Sequence, residues 1–171
     1  MKGYLQVYTG NGKGKTTAAI GLSLRAAGAG FRVLFTQFVK GIKYSEINAL
    51  ERFSDRVTVR QYGRSCFIRR QPEPADIESA RQGLEEIELY LRQGIYDVVV
   101  LDEACIALYY SLFSLSRLLD LAEARPPSTE MIITGRYAPR ELIERADLVT
   151  DMNEIKHYYN QGVTARDGIE R

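Results

Sequence analysis

Tryptophan is absent from this 171-residue chain, and it holds one histidine and two cysteines. Cys66 and Cys105 lie far apart, form no CxxC pair, and cannot build a zinc site or a disulfide framework with a single His. A charge imbalance is missing too. Lys plus Arg total 23 against 22 Asp plus Glu, a net charge of +1, which removes the main argument for a nucleic-acid or membrane-surface partner. No apolar run approaches the ~20 residues that span a bilayer. The opening Met1-Lys2-Gly3-Tyr4 leads into an alternating stretch without the apolar core of a signal peptide. These absences imply a cytoplasmic protein with reduced thiols. What is present, 45% apolar and 26% charged residues, suits one soluble domain over residues 1–171.

Two kinds of segment alternate along the chain. Short runs rich in β-branched and aromatic residues, at 4–8, 32–38, 57–62, 96–101, 131–134 and 148–149, have the length of strands. The continuous run Val98-Val99-Val100-Leu101 suits a strand buried on both faces. Between them, residues 75–93 place Ile77, Ala80, Leu84, Ile87 and Leu91 at helical spacing, started by Pro74 and ended by Gly94. Residues 16–28, 114–124 and 139–146 are further predicted helices. Strands alternating with helices predict an α/β fold, with a mostly parallel sheet and helices on both faces. Stretches 39–45 and 63–74 fit neither pattern and become candidate walls of a site at the carboxyl ends of the strands.

The strongest local signal is Thr9-Gly10-Asn11-Gly12-Lys13-Gly14-Lys15-Thr16-Thr17, between a predicted strand and a predicted helix. Its glycines allow a tight turn that points backbone N–H groups inward, and the helix start adds its positive dipole end. Lys15 supplies a mobile charge to phosphates, and the Thr16 hydroxyl is a ligand for Mg²⁺ or Mn²⁺. The usual first glycine of the pattern is replaced by Thr9. The second signal is Asp97-Val98-Val99-Val100-Leu101-Asp102-Glu103, an apolar strand ending in two carboxylates. An acid at that place approaches the metal held by the loop hydroxyl. Asp102 and Glu103 are both candidates, and a helix-capping role is the plain alternative. No N-K-x-D segment is present, which favours ATP over GTP.

Beyond the loop, the segments Ala26-Ala27-Gly28-Ala29-Gly30, Val33-Leu34-Phe35-Thr36-Gln37-Phe38, Leu101-Asp102-Glu103 and Ile132-Ile133-Thr134-Gly135-Arg136 carry a resemblance. So do Ile155-Lys156-His157-Tyr158-Tyr159, Gly162-Val163 and Ala165-Arg166-Asp167-Gly168-Ile169-Glu170. Together they resemble the ATP:corrinoid adenosyltransferases of the CobA/CobO type, from Tyr8 to Glu170. That family moves the 5′-deoxyadenosyl group of ATP onto the Co(I) of a reduced corrinoid and releases triphosphate. The resemblance explains why no protein nucleophile with a base and an orienting third group is evident, since the cobalt itself attacks C5′. It implies Lys13, Lys15, Thr16 and Arg136 on ATP, and metal on Thr16 with Glu103 or Asp102. It also implies an electron donor such as a flavoprotein, and a homodimer. Family members displace the corrinoid's lower axial ligand with apolar side chains. Phe67 is the candidate wedge here, with Phe38 and Tyr44 along the same cavity, although the family's Phe-x-Trp pair has no match in a chain without Trp.

Two other readings use the same residues. A small-molecule kinase would employ Arg64, Arg69 and Arg70 as a lid over a transferred phosphoryl group. A nucleotide-gated corrinoid carrier would bind both ligands without chemistry. His157 reads as a hydrogen-bonded structural residue, and Cys66 and Cys105 as unactivated thiols.

Overall fold

A computed structural model describes residues 2–64 and 71–170. Its sheet has six parallel strands: β1 (Leu5–Thr9), β2 (Val33–Phe38), β3 (Val57–Tyr62), β4 (Val98–Asp102), β5 (Glu130–Thr134) and β6 (Leu148–Asp151), in the spatial order β3-β2-β4-β5-β1-β6. The helices are α1 (Lys15–Gly28), α2 (Ser45–Leu50), α3 (Pro74–Gln93), α4 (Ala104–Tyr109), α5 (Leu115–Glu123) and α6 (Arg140–Arg145).

Strand pleating divides the core in two. Successive side chains point to opposite faces, so each interior strand feeds two clusters. Leu34 and Phe38 of β2, Val99 and Leu101 of β4, and Met131 and Ile133 of β5 enter one, beneath Leu84, Ile87 and Leu91 of α3 and Leu118 and Leu121 of α5. Val33 and Phe35, Val98 and Val100, and Ile132 enter the other, against Ala19 and Ala26 of α1 and Ile47 and Leu50 of α2. Burial on both faces explains the unbroken apolar run of β4, whose five residues are all buried.

The predicted elements recur with ends shifted by one or two residues. Helix α3 has Pro74 in its first turn, a reciprocal Glu73–Asp76 capping box and Gly94 in the left-handed conformation at its end. Four of its five predicted core positions are buried; Ile77, in the first turn, is 42% exposed. A Cβ on Gly83 would lie 2.5 Å from the Tyr62 ring, so this glycine lets α3 lie directly on β3. Helices α2 and α4, six residues each, were not assigned from periodicity. Every residue of β6 is exposed, so this edge strand has no buried face to imprint a hydrophobic alternation.

Candidate active site

The phosphate loop grows out of β1 and is clamped from outside. Gly10 and Gly14 have φ of 96° and 122°, a region that favours glycine. At Gly12 the reason is different. A Cβ there would lie 2.6 Å from the Met152 carbonyl oxygen, and its N–H donates to that oxygen at 2.6 Å. Asn11 Oδ1 accepts from the Glu154 N–H at 3.0 Å, and Thr9 Oγ1 accepts from the Ala138 N–H at 3.3 Å. The chain that follows β6 is therefore a wall of the loop.

Lys15 folds back into its own loop, where Nζ donates to the carbonyls of Gly10 at 2.7 Å and Gly12 at 2.6 Å. Burial pushes its ammonium below the usual value, with Glu103 opposing. Thr16, on the first turn of α1, donates through Oγ1 to Asp102 Oδ1 at 2.9 Å and lies 3.2 Å from Oδ2. Asp102 is fully buried. It also accepts from Thr134 Oγ1 at 2.7 Å and Gln37 Nε2 at 3.1 Å, with Lys40 Nζ at 3.6 Å. One carboxylate thus gathers donors from α1, β5, β2 and the turn after β2.

Glu103 follows with φ 59°, an uncommon conformation for a non-glycine residue, and its N–H donates to Thr134 Oγ1 at 3.0 Å. Its side chain faces the cavity. Burial and the adjacent Asp102 both push its carboxyl above the usual range. Thr134 therefore fixes both acids, by donating to one and accepting from the backbone of the other.

Lys13, the extra lysine of the loop, reaches the far end of the chain. Its Nζ lies 3.0 Å from Glu170 Oε1, 3.0 Å from the Ile169 carbonyl and 3.2 Å from the Tyr158 hydroxyl. Glu170 also accepts from Tyr158 and from Arg166. These donors, Arg166 and Tyr158 foremost, hold the Glu170 carboxyl far below the usual carboxylate range. This clasp roofs a cavity of about 940 Å³ whose walls include Lys13, Lys15, Thr16, Thr17, Glu103 and Arg136.

The structure thus brings the loop, Thr16, Asp102, Glu103 and Arg136 into one place. Of the corrinoid candidates, Phe38 does not line this cavity. Phe38 is fully buried in the core, with ring centroids 5.5 Å from Tyr62 and 5.4 Å from Phe113, because its strand position points away from the cavity. Tyr44 precedes α2, its ring 6.0 Å from Lys40 Nζ. Phe67 lies outside the described residues, as do Cys66, Arg69 and Arg70. Arg64 pairs with Glu73 at 3.0 Å, which occupies one arginine of the kinase lid. His157 lines the cavity, but its Nδ1 accepts from the Tyr159 N–H at 3.0 Å. Cys105 is fully buried, and burial pushes its thiol up to about 12.

Sequence reasoning missed Gln37, Lys40, Thr134 and Glu170 as site residues. Thr134 and Glu170 sit inside segments already singled out, and Lys40 lies in the unassigned stretch after β2. Lys40 carries no local motif, and its position depends on Val39 adopting a φ of 55°.

The oxygen-only set of Thr16, Asp102 and Glu103 fits a hard divalent cation. Among the described residues no group of three or more His, Cys, Asp or Glu side chains forms a cage.

The profile of the family described as ATP:corrinoid adenosyltransferase BtuR/CobO/CobP matches residues 1–171. Relatives include a corrinoid adenosyltransferase of Pseudomonas aeruginosa, 36% identical over 99% of this chain and 84% of that protein. The corrinoid adenosyltransferases of Escherichia coli K12 and Salmonella typhimurium are each 35% identical, over 99% of this chain and 86% of theirs.

Proposed function

The chain belongs to the ATP:corrinoid adenosyltransferase family, and from that membership we propose how its residues share the reaction. The activity is transfer of the 5′-deoxyadenosyl group of ATP to the Co(I) of a reduced corrinoid. An electron pair on cobalt forms the bond to C5′, and the C5′–O bond breaks with its electrons leaving on triphosphate. The protein supplies no nucleophile. It must hold C5′ in line with the metal of its substrate and stabilise the charge that develops on the departing oxygen.

We assign that second task to the loop amides of Thr9, Gly10, Asn11, Lys13 and Gly14 to Thr17, the Gly12 N–H being held by the Met152 carbonyl instead, together with Lys15 and Arg136. Lys15 exchanges the carbonyls of Gly10 and Gly12 for phosphate oxygens. Lys13 leaves Glu170 in the same way. Thr16 and Asp102, with Glu103 beside them, hold a divalent cation, Mg²⁺ or Mn²⁺, which neutralises phosphate charge. On the corrinoid side we assign the apolar contacts to Tyr44 and Phe67, with Phe38 confined to the core. A separate electron donor such as a flavoprotein delivers Co(I). The working unit is a cytoplasmic homodimer of a domain spanning residues 1–171. No described helix is long and apolar enough to cross a membrane.

The observation that carries this reading is the convergence of Lys13, Lys15, Thr16, Glu103 and Arg136 on one cavity, with Asp102 bonded behind Thr16, in a chain the family profile covers end to end. The test is anaerobic incubation with ATP, Mg²⁺ and chemically reduced cob(I)alamin. Absorbance follows the light-sensitive cobalt–carbon product and phosphorus NMR follows triphosphate. Both products should form and both should vanish in Lys15→Ala. ADP as the sole phosphorus product would overturn the reading in favour of phosphoryl transfer.

A further inference from the structure

Lys40 is a buried ammonium in the wall of the same cavity, 7% exposed, and no loop or strand-end motif includes it. The carboxylate oxygen it pairs with, Asp102 Oδ2, is 3.6 Å away, longer than an ordinary charge-assisted hydrogen bond. Asp102 does not depend on it for hydrogen bonding, because Thr16, Thr134 and Gln37 already donate to both carboxylate oxygens. An ammonium has three protons to donate, and burying it is costly unless they find acceptors.

The backbone around Lys40 is constrained to place it there. Val39, a β-branched residue, has φ 55°, a conformation such residues rarely adopt outside strained or functional sites. Two glycines let neighbouring chain pack onto this turn. A Cβ on Gly63 would lie 2.6 Å from the Lys40 backbone nitrogen, and one on Gly41 would lie 2.4 Å from the Gly63 oxygen.

The sheet order sets what this cation faces. Lys40 leaves β2 and the phosphate loop leaves β1, with β4 and β5 between them. At ordinary strand spacing that separates the two anchors by roughly 14 Å. Lys13 and Lys15 reach the cavity from the β1 side and Arg136 from β5, while Lys40 comes from β2 and its Nζ ends beside the Asp102 carboxylate that Thr16 holds. In ordinary phosphoryl transfer one phosphate changes hands. In the reaction proposed above the whole triphosphate departs, so charge must be met at both ends of a three-phosphate chain.

We propose that Lys40 is a triphosphate-binding residue of this enzyme, a cation that meets the polyphosphate from the β2 side, across the Thr16–Asp102 pair from the loop lysines. The proposal rests on the transferase reading for its role in turnover, but triphosphate binding is measurable without any corrinoid.

The experiment is calorimetric titration of the whole protein with inorganic tripolyphosphate, in EDTA and again with Mg²⁺, for wild type, Lys40→Met and Lys40→Arg. Loss of one charge-assisted contact should weaken tripolyphosphate binding by Lys40→Met roughly ten- to a hundredfold. Lys40→Arg should recover most of it, with cobalamin affinity unchanged in both. Equal tripolyphosphate affinity in wild type and Lys40→Met would overturn the proposal. If Lys40→Met does not fold, the Lys40 side-chain NMR signal in wild type decides. A shift on adding tripolyphosphate supports the contact, and an unmoved signal at saturation refutes it. Failure of adenosyl transfer with intact Lys40-dependent tripolyphosphate binding would sink the transferase reading alone.

Discussion

Gly12→Ala separates the two reasons a phosphate loop is rich in glycine. Gly12 does not need the left-handed conformation that Gly10 and Gly14 adopt. What excludes a side chain is the chain after β6. A methyl group would lie 2.6 Å from the Met152 oxygen and 2.8 Å from the Asn153 carbonyl carbon. Ordinary contact at about 3.5 Å or more requires a retreat of roughly 0.9 Å. The 2.6 Å hydrogen bond from the Gly12 N–H to Met152 cannot survive that shift with good geometry. A lost hydrogen bond costs about 0.5–1.5 kcal/mol and overpacking about 1–3 kcal/mol, so about 2–4 kcal/mol is expected. For a chain of this size that lowers Tm by roughly 5–12 °C. Gly21→Ala is the control. It lies on the exposed side of α1 with nothing within 4 Å of its would-be Cβ. It should gain about 0.5–1 kcal/mol from helix propensity and raise Tm by a few degrees. Thermal unfolding without nucleotide measures both, and ATP affinity should fall in Gly12→Ala alone. If Gly12→Ala melts like wild type, the segment at Met152 is not a wall of the loop and the packing argument is wrong.

Asp102→Asn should cost about 3–5 kcal/mol, because the new amide meets the donors of Gln37 and Lys40 and leaves a buried ammonium without its counter-ion. Turnover should fall roughly a hundredfold, and near-normal turnover would shift the metal role to Glu103 alone. The Glu170 clasp has a defined pH dependence. A carboxyl whose folded pKa is depressed stabilises above its unfolded value and loses that contribution as pH falls through the folded one. Backbone hydrogen exchange over residues 158–170 should therefore stay slow at pH 5 and quicken only well below the usual carboxylate range. Exchange that quickens already near pH 5 would contradict the clasp. Cys105, fully buried with its thiol pushed up to about 12, should resist a thiol reagent at pH 8 until the protein unfolds. Peptide mass spectrometry of the labelled native protein would show otherwise.

The phosphate loop was legible because its chemistry sits in consecutive residues, from Thr9 to Thr17, between a strand and a helix. The fold class was legible because both faces of β4 are buried and α3 repeats its apolar residues at helical spacing. Helices α2 and α4 were not, since six residues make fewer than two turns and leave no period to read; α6 is as short but is marked by Pro139 at its start. Strand β6, exposed throughout, gave only two residues of signal where four pair.

Local sequence alone therefore determined the anion cradle, the parallel α/β architecture and the pair of carboxylates at the end of an apolar strand. Family resemblance along the chain then separated this protein from other phosphate-loop enzymes. Only the tertiary structure distinguished the two acids. It put Asp102 against Thr16, 86 residues away, and turned Glu103 toward the cavity through a left-handed backbone. It also joined Lys13 to Glu170 across 157 residues, and carried Lys40 into the site on a strained turn. The physical reason is the same in each case. These pairings depend on which strands become neighbours and on where a backbone is forced through an unusual angle, and neither leaves a mark on the residues nearby in sequence.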